Sequence, residues 1–351
     1  MNMNFKKFAA AFVLAASVVG VPMSASADEI VKVIGEGNKI IGSYSTSKVT
    51  SIEFAEGQIA EVSDNYIVIP LTDNIKFKMI KVEGGVPFTL TNEGSALTGT
   101  AWANNGATKQ MEDFWIGEFE VTQDIWKEVM GLTDAQLPVS NFESTVGSTK
   151  YPAGTAQTKK GAKYPIANVS WDDICTGSNS FLTKINARLK ELKASNPALA
   201  AALGEKEFRL PSEWEWTYAA AGGKNYASLQ YWYSGISGTT QPANTELDKV
   251  AVNSVTTILT SVAEVGSKEP NALGLYDMSG NVWERCSSLG YPGHENEYGY
   301  LNNTGTWNSS YRPCRGGGWT NTSASNFRIS YRRYSNGTES RSIYDGFRLA
   351  L

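Results

Sequence analysis

The last third of this 351-residue chain has almost no regular periodicity, and this limits the folds that the chain can adopt. From about residue 230 to 351 the sequence is rich in Gly, Asn, Ser, Tyr and Trp, and its apolar positions sustain neither a helical nor a strand repeat. Such a composition predicts short strands joined by long connections. Because loops often carry function, we expect functional residues in this part of the chain.

Helical patterns are confined to the middle of the chain. Thr122 is placed to cap a helix that Gly131 ends, and Ser170 is placed to cap a second helix. A third begins at Pro211, where a proline in the first helical turn is favoured, and ends near Gly222. Few helices among many loops and short strands predict an α+β fold with little regular secondary structure.

The first 27 residues have the pattern of a secretory signal peptide. Lys6 and Lys7 precede an apolar run from Phe8 to Pro22, and the small-residue triplet Ala25-Ser26-Ala27 follows. The run is shorter than the roughly 20 residues that a membrane span needs. We therefore expect an exported protein, periplasmic or extracellular, with no membrane span. An N-terminal anchor that is never cleaved is the alternative.

The pattern of the chain changes near residue 76. Residues 28–75 contain short β-like pieces between turn signals, with too little apolar content for a core of their own. From Phe77 a strand leads to a Gly-Gly turn, and longer elements follow. We predict a small N-terminal β segment over residues 28–75 and one larger domain over residues 76–351.

Composition excludes several classes of function. With 35 acidic and 31 basic residues, the chain has no excess positive charge for binding nucleic acid. The only histidine, His294, lies in a loop-like segment where we expect a solvated side chain, which disfavours sites that need one or more well-placed imidazoles, such as His-rich zinc sites and Ser-His-Asp triads. Cys175, Cys286 and Cys314 are too few for a disulfide scaffold, and the sequence leaves open which pair, if any, forms a bridge.

Six segments between residues 76 and 351 form a recognisable series. They are FWIGEFEVTQ from Phe114, YPIANVSWDD from Tyr164, FRLPSEWEWTYAA from Phe208, NALGLYDMSGNVWE from Asn271, RGGGW from Arg315 and GFRL from Gly346. In this order they resemble the formylglycine-generating enzyme (sulfatase-modifying factor) family. The resemblance implies a C-type-lectin-like α+β fold over residues 76–351.

One segment resembles the calcium-binding segment of that family. The resemblance implies that the side chains of Asp277 and Glu284 and the carbonyl groups of Gly280 and Val282 hold one structural Ca²⁺. These are the hard oxygen ligands that calcium prefers. A second calcium site of the family would use Asn253, but its remaining ligands have no clear match here. The alternative is that the segment is only a tight turn.

The resemblance also identifies a departure from the family's chemistry. In members that oxidise a sulfatase cysteine, two cysteines after the Gly-Gly turn bind copper through their thiolates. The matching positions here are Asn321 and Asn326, and amide oxygens do not hold Cu(I). We therefore expect no copper, no formylglycine-generating activity and no catalytic residues of that type.

Arginine replaces lysine in the last part of the chain. Lys268 is the last lysine, and eight arginines follow it. Because the planar guanidinium suits buried carboxylate pairs and carbonyl groups, we predict that most of them brace the loops. They are Arg285, Arg312, Arg315, Arg328, Arg332, Arg333, Arg341 and Arg348.

Residues 320–345 are largely Thr, Asn, Ser, Tyr and Arg, a composition like that of antibody loops. The segment also resembles the variable region of lectin-fold proteins that retroelements diversify. An ordinary polar surface is the alternative. We predict a ligand-binding face for a protein, peptide or glycan, formed by Trp319, Asn321, Thr322, Asn326, Tyr331, Tyr334 and Tyr344.

Three functions are consistent with these features. The first is an exported, non-oxidase member of the family that binds a ligand through its C-terminal face. The second is an enzyme of the family that uses a different oxidation or modification chemistry. The third is a passive structural component of the envelope. The missing cysteines and the single histidine favour the first over the second, and the aromatic, polar C-terminal segment favours it over the third.

Overall fold

The computed structural model describes residues 30–34, 40–45, 60–89, 108–138, 144–146, 149–151, 161–224, 233–236, 242–287, 300–301 and 307–351. The predicted signal peptide, residues 1–27, lies outside these ranges. The chain divides into two compact units, residues 1–57 and residues 58–351. In the first unit, strands β1 (Ile30–Ile34) and β2 (Ile40–Ser45) form an antiparallel pair.

The second unit contains a four-stranded antiparallel sheet near its start. Its strands, in spatial order, are β3 (Glu61–Val62), β4 (Tyr66–Pro70), β5 (Lys76–Val82) and β8 (Phe114–Gly117). Three strand pairs lie outside the larger sheets. They are β6 (Pro87–Thr89) with β7 (Thr108–Gln110), β9 (Ser144–Val146) with β10 (Thr149–Tyr151), and β12 (Tyr300–Leu301) with β13 (Trp307–Asn308).

Six α-helices occur in the described residues of this unit. They are α1 (Gln123–Met130), α2 (Trp171–Cys175), α3 (Phe181–Ser195), α4 (Pro197–Leu203), α5 (Glu213–Ala220) and α6 (Asn244–Val250). The predicted starts at Thr122 and Ser170 are confirmed, and Gly131 ends α1 with φ +71°. The prediction for Pro211 was wrong, because Ser212 caps α5 and the proline lies before the cap.

A second four-stranded sheet is built from the irregular last third of the chain. Its spatial order is β15 (Arg333–Asn336), β14 (Tyr311–Arg315), β11 (Trp283–Arg285) and β16 (Asp345–Gly346). Strand β11 runs parallel to β16 and antiparallel to β14. All three residues of β11 are buried, so this strand carries its side chains into the interior.

The last residues of the chain connect the two sheets. The amide of Gly117 in β8 donates to the Leu349 carbonyl at 2.8 Å, and Arg209 exchanges two backbone hydrogen bonds with Ala350. Nearby, the Trp126 ring stacks on Phe181 with ring centroids 5.1 Å apart.

The α+β prediction is confirmed. No helix among the described residues is both long and apolar enough to cross a membrane.

Candidate functional site

The predicted calcium segment is a turn of left-handed residues that leads into β11. Asp277, Gly280 and Asn281 have φ of +58°, +95° and +59°. A Cβ atom on Gly280 would lie 2.6 Å from the Val252 carbonyl oxygen, so only glycine fits this close approach of two backbones. The turn therefore holds its backbone in one shape and directs Trp283 and Glu284 into the interior.

Three carboxylates are buried around this turn: Glu120, Asp277 and Glu284. Glu284 accepts hydrogen bonds from Arg348 Nε and Nη2, both at 2.6 Å, and from Trp216 Nε1 at 2.8 Å. Sequence reasoning identified Asp277 and Glu284 but missed Glu120. The available signal was the presence of acidic residues in the strand-like segment FWIGEFEV from Phe114, of which Glu120 is one.

Among the described residues, no arginine donates a hydrogen bond to either of the other two carboxylates. Glu120 accepts from the amide of Val282 at 3.0 Å and from Asn281 Nδ2 at 2.7 Å. Asp277 Oδ2 accepts from the amide of Gly266 at 2.7 Å, whereas the buried Asp277 Oδ1 has no hydrogen-bond partner in the part of the chain that the structure describes. Among the buried groups around the turn, Arg348 is the only cation hydrogen-bonded to any of the three carboxylates in the described residues.

Burial and charge repulsion shift the pKa values of Glu120 and Asp277. Burial raises the pKa of Asp277 to about 6. Burial, and then the charges of Asp277 and Glu284, raise the pKa of Glu120 well above its usual value. A buried cluster with excess negative charge and one unsatisfied oxygen is chemically suited to a hard cation.

The side chains alone do not form a complete metal site. No group of three or more His, Cys, Asp or Glu side chains in the described residues is arranged to hold one ion. The three carboxylates interact electrostatically, but an ion would also need backbone carbonyl oxygens. Among the described residues, Asp277 Oδ1 is the open carboxylate oxygen of this cluster, whereas both oxygens of Glu284 are occupied by Arg348.

None of the three cysteines stands at Asn321 or Asn326, the positions where the resemblance places the copper-binding cysteines of the family's oxidases. Cys286 and Cys314 are fully buried and Cys175 is half-buried, and none of them forms a disulfide. Burial raises the pKa of all three thiols, that of Cys175 to about 12. Buried thiols with raised pKa values supply little thiolate, which is the form that binds copper.

The predicted binding residues do not all share one surface. Trp319 is 1% exposed and belongs to the core, and Thr322 is exposed. Asn321 and Asn326 are half-buried, and Asn321 Oδ1 accepts from the amide of Gly318 at 2.8 Å. Asn321 therefore shapes its own turn as well as contributing a polar surface.

The three predicted tyrosines divide between the two faces of the β14–β15 pair. The half-buried Tyr331 has its ring centroid 6.0 Å from that of Trp283, and the half-buried Tyr344 lies under the Arg333 guanidinium. Tyr334 is 38% exposed and stacks on Tyr311, with centroids 4.2 Å apart. Because neighbouring strand residues point to opposite faces, Tyr334 and Arg333 lie on different sides.

The prediction of structural arginines is confirmed for the buried members. Glu213 accepts from Arg315 Nε at 3.0 Å and from Arg332 Nη2 at 2.5 Å, and all three side chains are fully buried. Arg285 donates to Ser335 Oγ at 2.6 Å and to the Ser340 carbonyl at 2.7 Å. These contacts join α5 and β11 to the C-terminal segment.

Comparison with known proteins is consistent with this geometry. Chaperone protein LppX of Paenibacillus barcinonensis is 26% identical over 263 residues, which cover 68% of this chain and 80% of that protein. A formylglycine-generating enzyme of Streptomyces coelicolor is 34% identical over 147 residues, 40% of this chain and 46% of the enzyme.

Two solved structures have similar folds. Treponema denticola variable protein 1 superposes with a TM-score of 0.55 and 25% identity, covering 82% of this chain and 98% of that protein. PvdO from Pseudomonas aeruginosa superposes with a TM-score of 0.52 and 20% identity, and the match covers 82% of this chain and 99% of PvdO. At this identity the similarity supports the fold alone. Residues 72–351 match the sulfatase-modifying factor enzyme 1-like domain, so this chain belongs to the formylglycine-generating enzyme (sulfatase-modifying factor) family.

Proposed function

We propose that this protein is an exported, non-oxidase member of its family that binds a ligand through its C-terminal segment, residues 319–345. The first half of the proposal, that the protein is not an oxidase, is supported by the burial and the pKa values of the three thiols. Cys286 and Cys314 are buried and Cys175 is half-buried, all with raised pKa values, and amides stand at the two copper positions, Asn321 and Asn326. The lack of cysteines at these two positions supports a member that does not hold Cu(I) through a thiolate pair there.

Ligand binding is supported by the surface that the C-terminal segment presents. Thr322 and Tyr334 are exposed, and Asn326, Tyr331 and Tyr344 are half-buried at its surface. Tyrosines add contact area at little cost in conformational entropy, while small polar side chains adapt their hydrogen bonds. The names of two relatives, a chaperone protein and a variable protein, are not names of oxidases and are consistent with binding.

We also propose that one structural Ca²⁺ stabilises the turn around Asp277. Bound there, the cation would balance the excess charge of Glu120, Asp277 and Glu284, with carbonyl groups of the turn, those of Gly280 and Val282, as further ligands. Its role is structural, because the carboxylates are buried and Asp277 is only 1% exposed.

The two halves of the main proposal are tested separately. Purified protein should take up no stoichiometric copper in an anaerobic titration and should leave the cysteine of a Cys-x-Pro-x-Arg peptide unchanged in mass. Copper binding with conversion of that cysteine to formylglycine would instead indicate an oxidase.

For binding, the protein is applied to arrays of random-sequence peptides and of glycans. A double variant, Thr322→Ala with Tyr334→Ala, should lose the binding of the wild-type protein at an unchanged thermal midpoint, because exposed substitutions are usually near neutral for stability. The matched control, Thr183→Ala with Glu191→Ala on exposed positions of α3, should retain it. Equal binding by both variants would refute binding through Thr322 and Tyr334, the two exposed members of the predicted set.

A further inference from the structure

A loop formed by residues 253–263 lies against the start of the C-terminal segment. Ser254 joins the two: its amide donates to the Asn321 carbonyl at 3.1 Å, and its hydroxyl donates to the Trp319 carbonyl at 2.6 Å. Both parts contain exposed side chains. The 253–263 loop and residues 319–322 therefore form adjoining parts of the protein's surface.

The 253–263 loop is fixed near both of its ends. The Ser254 hydroxyl also accepts from the Leu259 amide at 2.9 Å, which ties the middle of the loop to its start. At the other end, the Ala263 amide donates to Asn281 Oδ1 at 3.1 Å. Because the backbone is already ordered, a ligand that binds this loop costs it little conformational entropy.

Ile258 is displayed at the surface of this loop. Its side chain is 70% exposed, and in the part of the chain that the structure describes, Tyr334, at 38%, is the only other large apolar residue that is exposed. Thr256 and Thr257, which precede it, are exposed as well. A single exposed apolar residue is common on protein surfaces, so the surroundings of Ile258 decide what it means.

The two adjoining parts of the chain carry no charge. Neither the 253–263 loop (NSVTTILTSVA) nor residues 316–327 (GGGWTNTSASNF) contains Asp, Glu, Lys, Arg or His, although 19% of the whole chain is charged. The exposed polar side chains are hydroxyl groups, among them those of Thr257, Thr322 and Ser323. Charged residues are depleted at the centre of protein–protein interfaces in the same way.

These features favour a protein ligand over the other classes. A nucleic acid or an acidic glycan requires basic side chains, which the two parts lack. In the described residues, the one carboxylate hydrogen-bonded to the loop is that of Asp248, and it already accepts from Thr256 and Asn253. A sugar ring stacks on a flat aromatic face, whereas Ile258 is a branched aliphatic side chain that packs on other apolar side chains.

We infer that Ile258 is an apolar anchor that contacts an apolar side chain in an uncharged peptide segment of a protein ligand. The inference rests on the proposed function, and it extends the binding face from residues 319–345 to the 253–263 loop. The hydroxyl groups beside Ile258 both donate and accept hydrogen bonds, as the backbone of a bound peptide requires. Contact between apolar surfaces is not weakened by the screening of charges, so salt should hardly affect the binding.

The test uses random-sequence peptides displayed against the full chain, with an array of neutral glycans as a second arm. The wild-type protein should select peptides that share an apolar residue between uncharged ones. Replacing this residue by Ser should weaken binding to the wild-type protein by roughly ten- to hundred-fold, as the loss of an anchor residue does. For Ile258→Ser the same replacement should cost less than about threefold, because the contact is already lost. Affinity should change by less than about twofold between about 0.05 M and about 0.5 M salt.

Two further variants serve as controls. Ile258→Val should keep most of the affinity, and Ala187→Ser, at an exposed position of α3, should keep all of it. Each variant should keep the thermal midpoint, because the replaced side chains are exposed.

Peptides that bind Ile258→Ser and the wild-type protein equally, but still depend on Thr322 and Tyr334, would overturn the anchor while the proposed function stands. Selection of charged peptides would overturn the uncharged ligand segment. Glycans retained through Ile258 in place of peptides would overturn the protein ligand. The absence of any bound peptide or glycan would overturn both proposals.

Discussion

At the scale of single residues, the interior of this protein is dominated by carboxylates that each hold several donors. Glu213 binds Arg315 and Arg332, and Glu284 binds Arg348 and Trp216. These side chains are fully buried, so each carboxylate is the counter-charge for arginines that water cannot reach. Removing one partner of such a group leaves an uncompensated buried charge, which costs far more than an exposed pair contributes.

Glu213→Gln should therefore lower the free energy of unfolding by about 3–5 kcal/mol, because Arg315 and Arg332 would stay buried without their counter-charge. Urea unfolding followed by tryptophan fluorescence measures the loss. Glu191→Gln, which removes an exposed pair with Arg188, is the control and should hardly change stability. A similar small loss in both variants would mean that the buried network contributes little.

Glu215 should make stability depend on pH in acid. Burial raises the pKa of this carboxyl, but the ion pair with Arg209 and the hydrogen bonds from Ser212 lower it by more, so the pKa is lowered overall. Its contribution is complete above the unfolded pKa of about 4.3 and is lost as the pH falls through the lowered folded value.

The stability difference between the wild-type protein and Glu215→Gln should therefore shrink between about pH 6 and about pH 3. Unfolding curves across this range measure it. Glu207→Gln, at an exposed position nearby, should show no such convergence. A constant difference between wild type and Glu215→Gln would contradict the lowered pKa.

At the scale of elements, short helices and strands are held by their ends. Helix α5 has only eight residues, yet it positions Glu213, Trp216 and the aromatic ring of Tyr218 in the core. Its first turn is fixed by a capping box, in which Ser212 Oγ accepts from the Glu215 amide and the Glu215 carboxylate accepts from the Ser212 amide at 2.8 Å. Such a short helix depends on capping and packing more than on helix propensity.

Ser212→Ala should lower the free energy of unfolding by about 1 kcal/mol, the usual value of an N-cap hydrogen bond. Thermal or urea unfolding measures the change. The matched control is Ser195→Ala, an exposed position at the C-terminal end of α3, which should hardly change the free energy of unfolding. If the two substitutions had the same effect, packing alone would hold α5 in place.

At the scale of the whole molecule, the cluster of Glu120, Asp277 and Glu284 connects parts of the chain that are far apart in sequence. Asn281 Nδ2 donates to Glu120 across 161 positions, and Arg348 bonds both Glu284 and the Gly117 carbonyl. A cation bound in this cluster would therefore stabilise the first sheet, the second sheet and the C terminus together. The stability of the whole protein against unfolding is therefore the quantity that should respond to the proposed calcium.

Calcium should raise the thermal midpoint by several degrees, because a ligand that binds only the folded state stabilises it by about 2.7 kcal/mol at a hundredfold excess over its Kd. Asp277→Asn should remove the response. In chelator, the same variant should be at least as stable as the wild-type protein, because it removes one of three repelling buried carboxylates. Asp113→Asn, near the surface, is the control. A thermal midpoint of the wild-type protein that does not change when chelator is added would exclude the structural calcium.

Much of the local structure could be predicted from the sequence. The helix starts after Thr122 and Ser170, and the left-handed stop at Gly131, follow from the chemistry of single residues, although Ser170 makes a side-chain cap hydrogen bond and Thr122 does not. Helices α4 and α6 were not predicted, because short helices without a clear apolar stripe are defined by what they pack against. Trp319 was predicted as a binding residue on composition, and its 1% exposure could only be known from the packing around it.

The sequence by itself determined the family, the α+β class and the arginine-rich character of the last third, because these depend on residue types and their order along the chain. Only the tertiary structure decided which groups meet. The parallel pairing of β11 with β16 aligns Trp283 with Asp345, while the antiparallel β14–β15 register turns Arg333 and Tyr334 to opposite faces. Strand register determines which distant side chains share a face, and register is fixed by packing across the whole body.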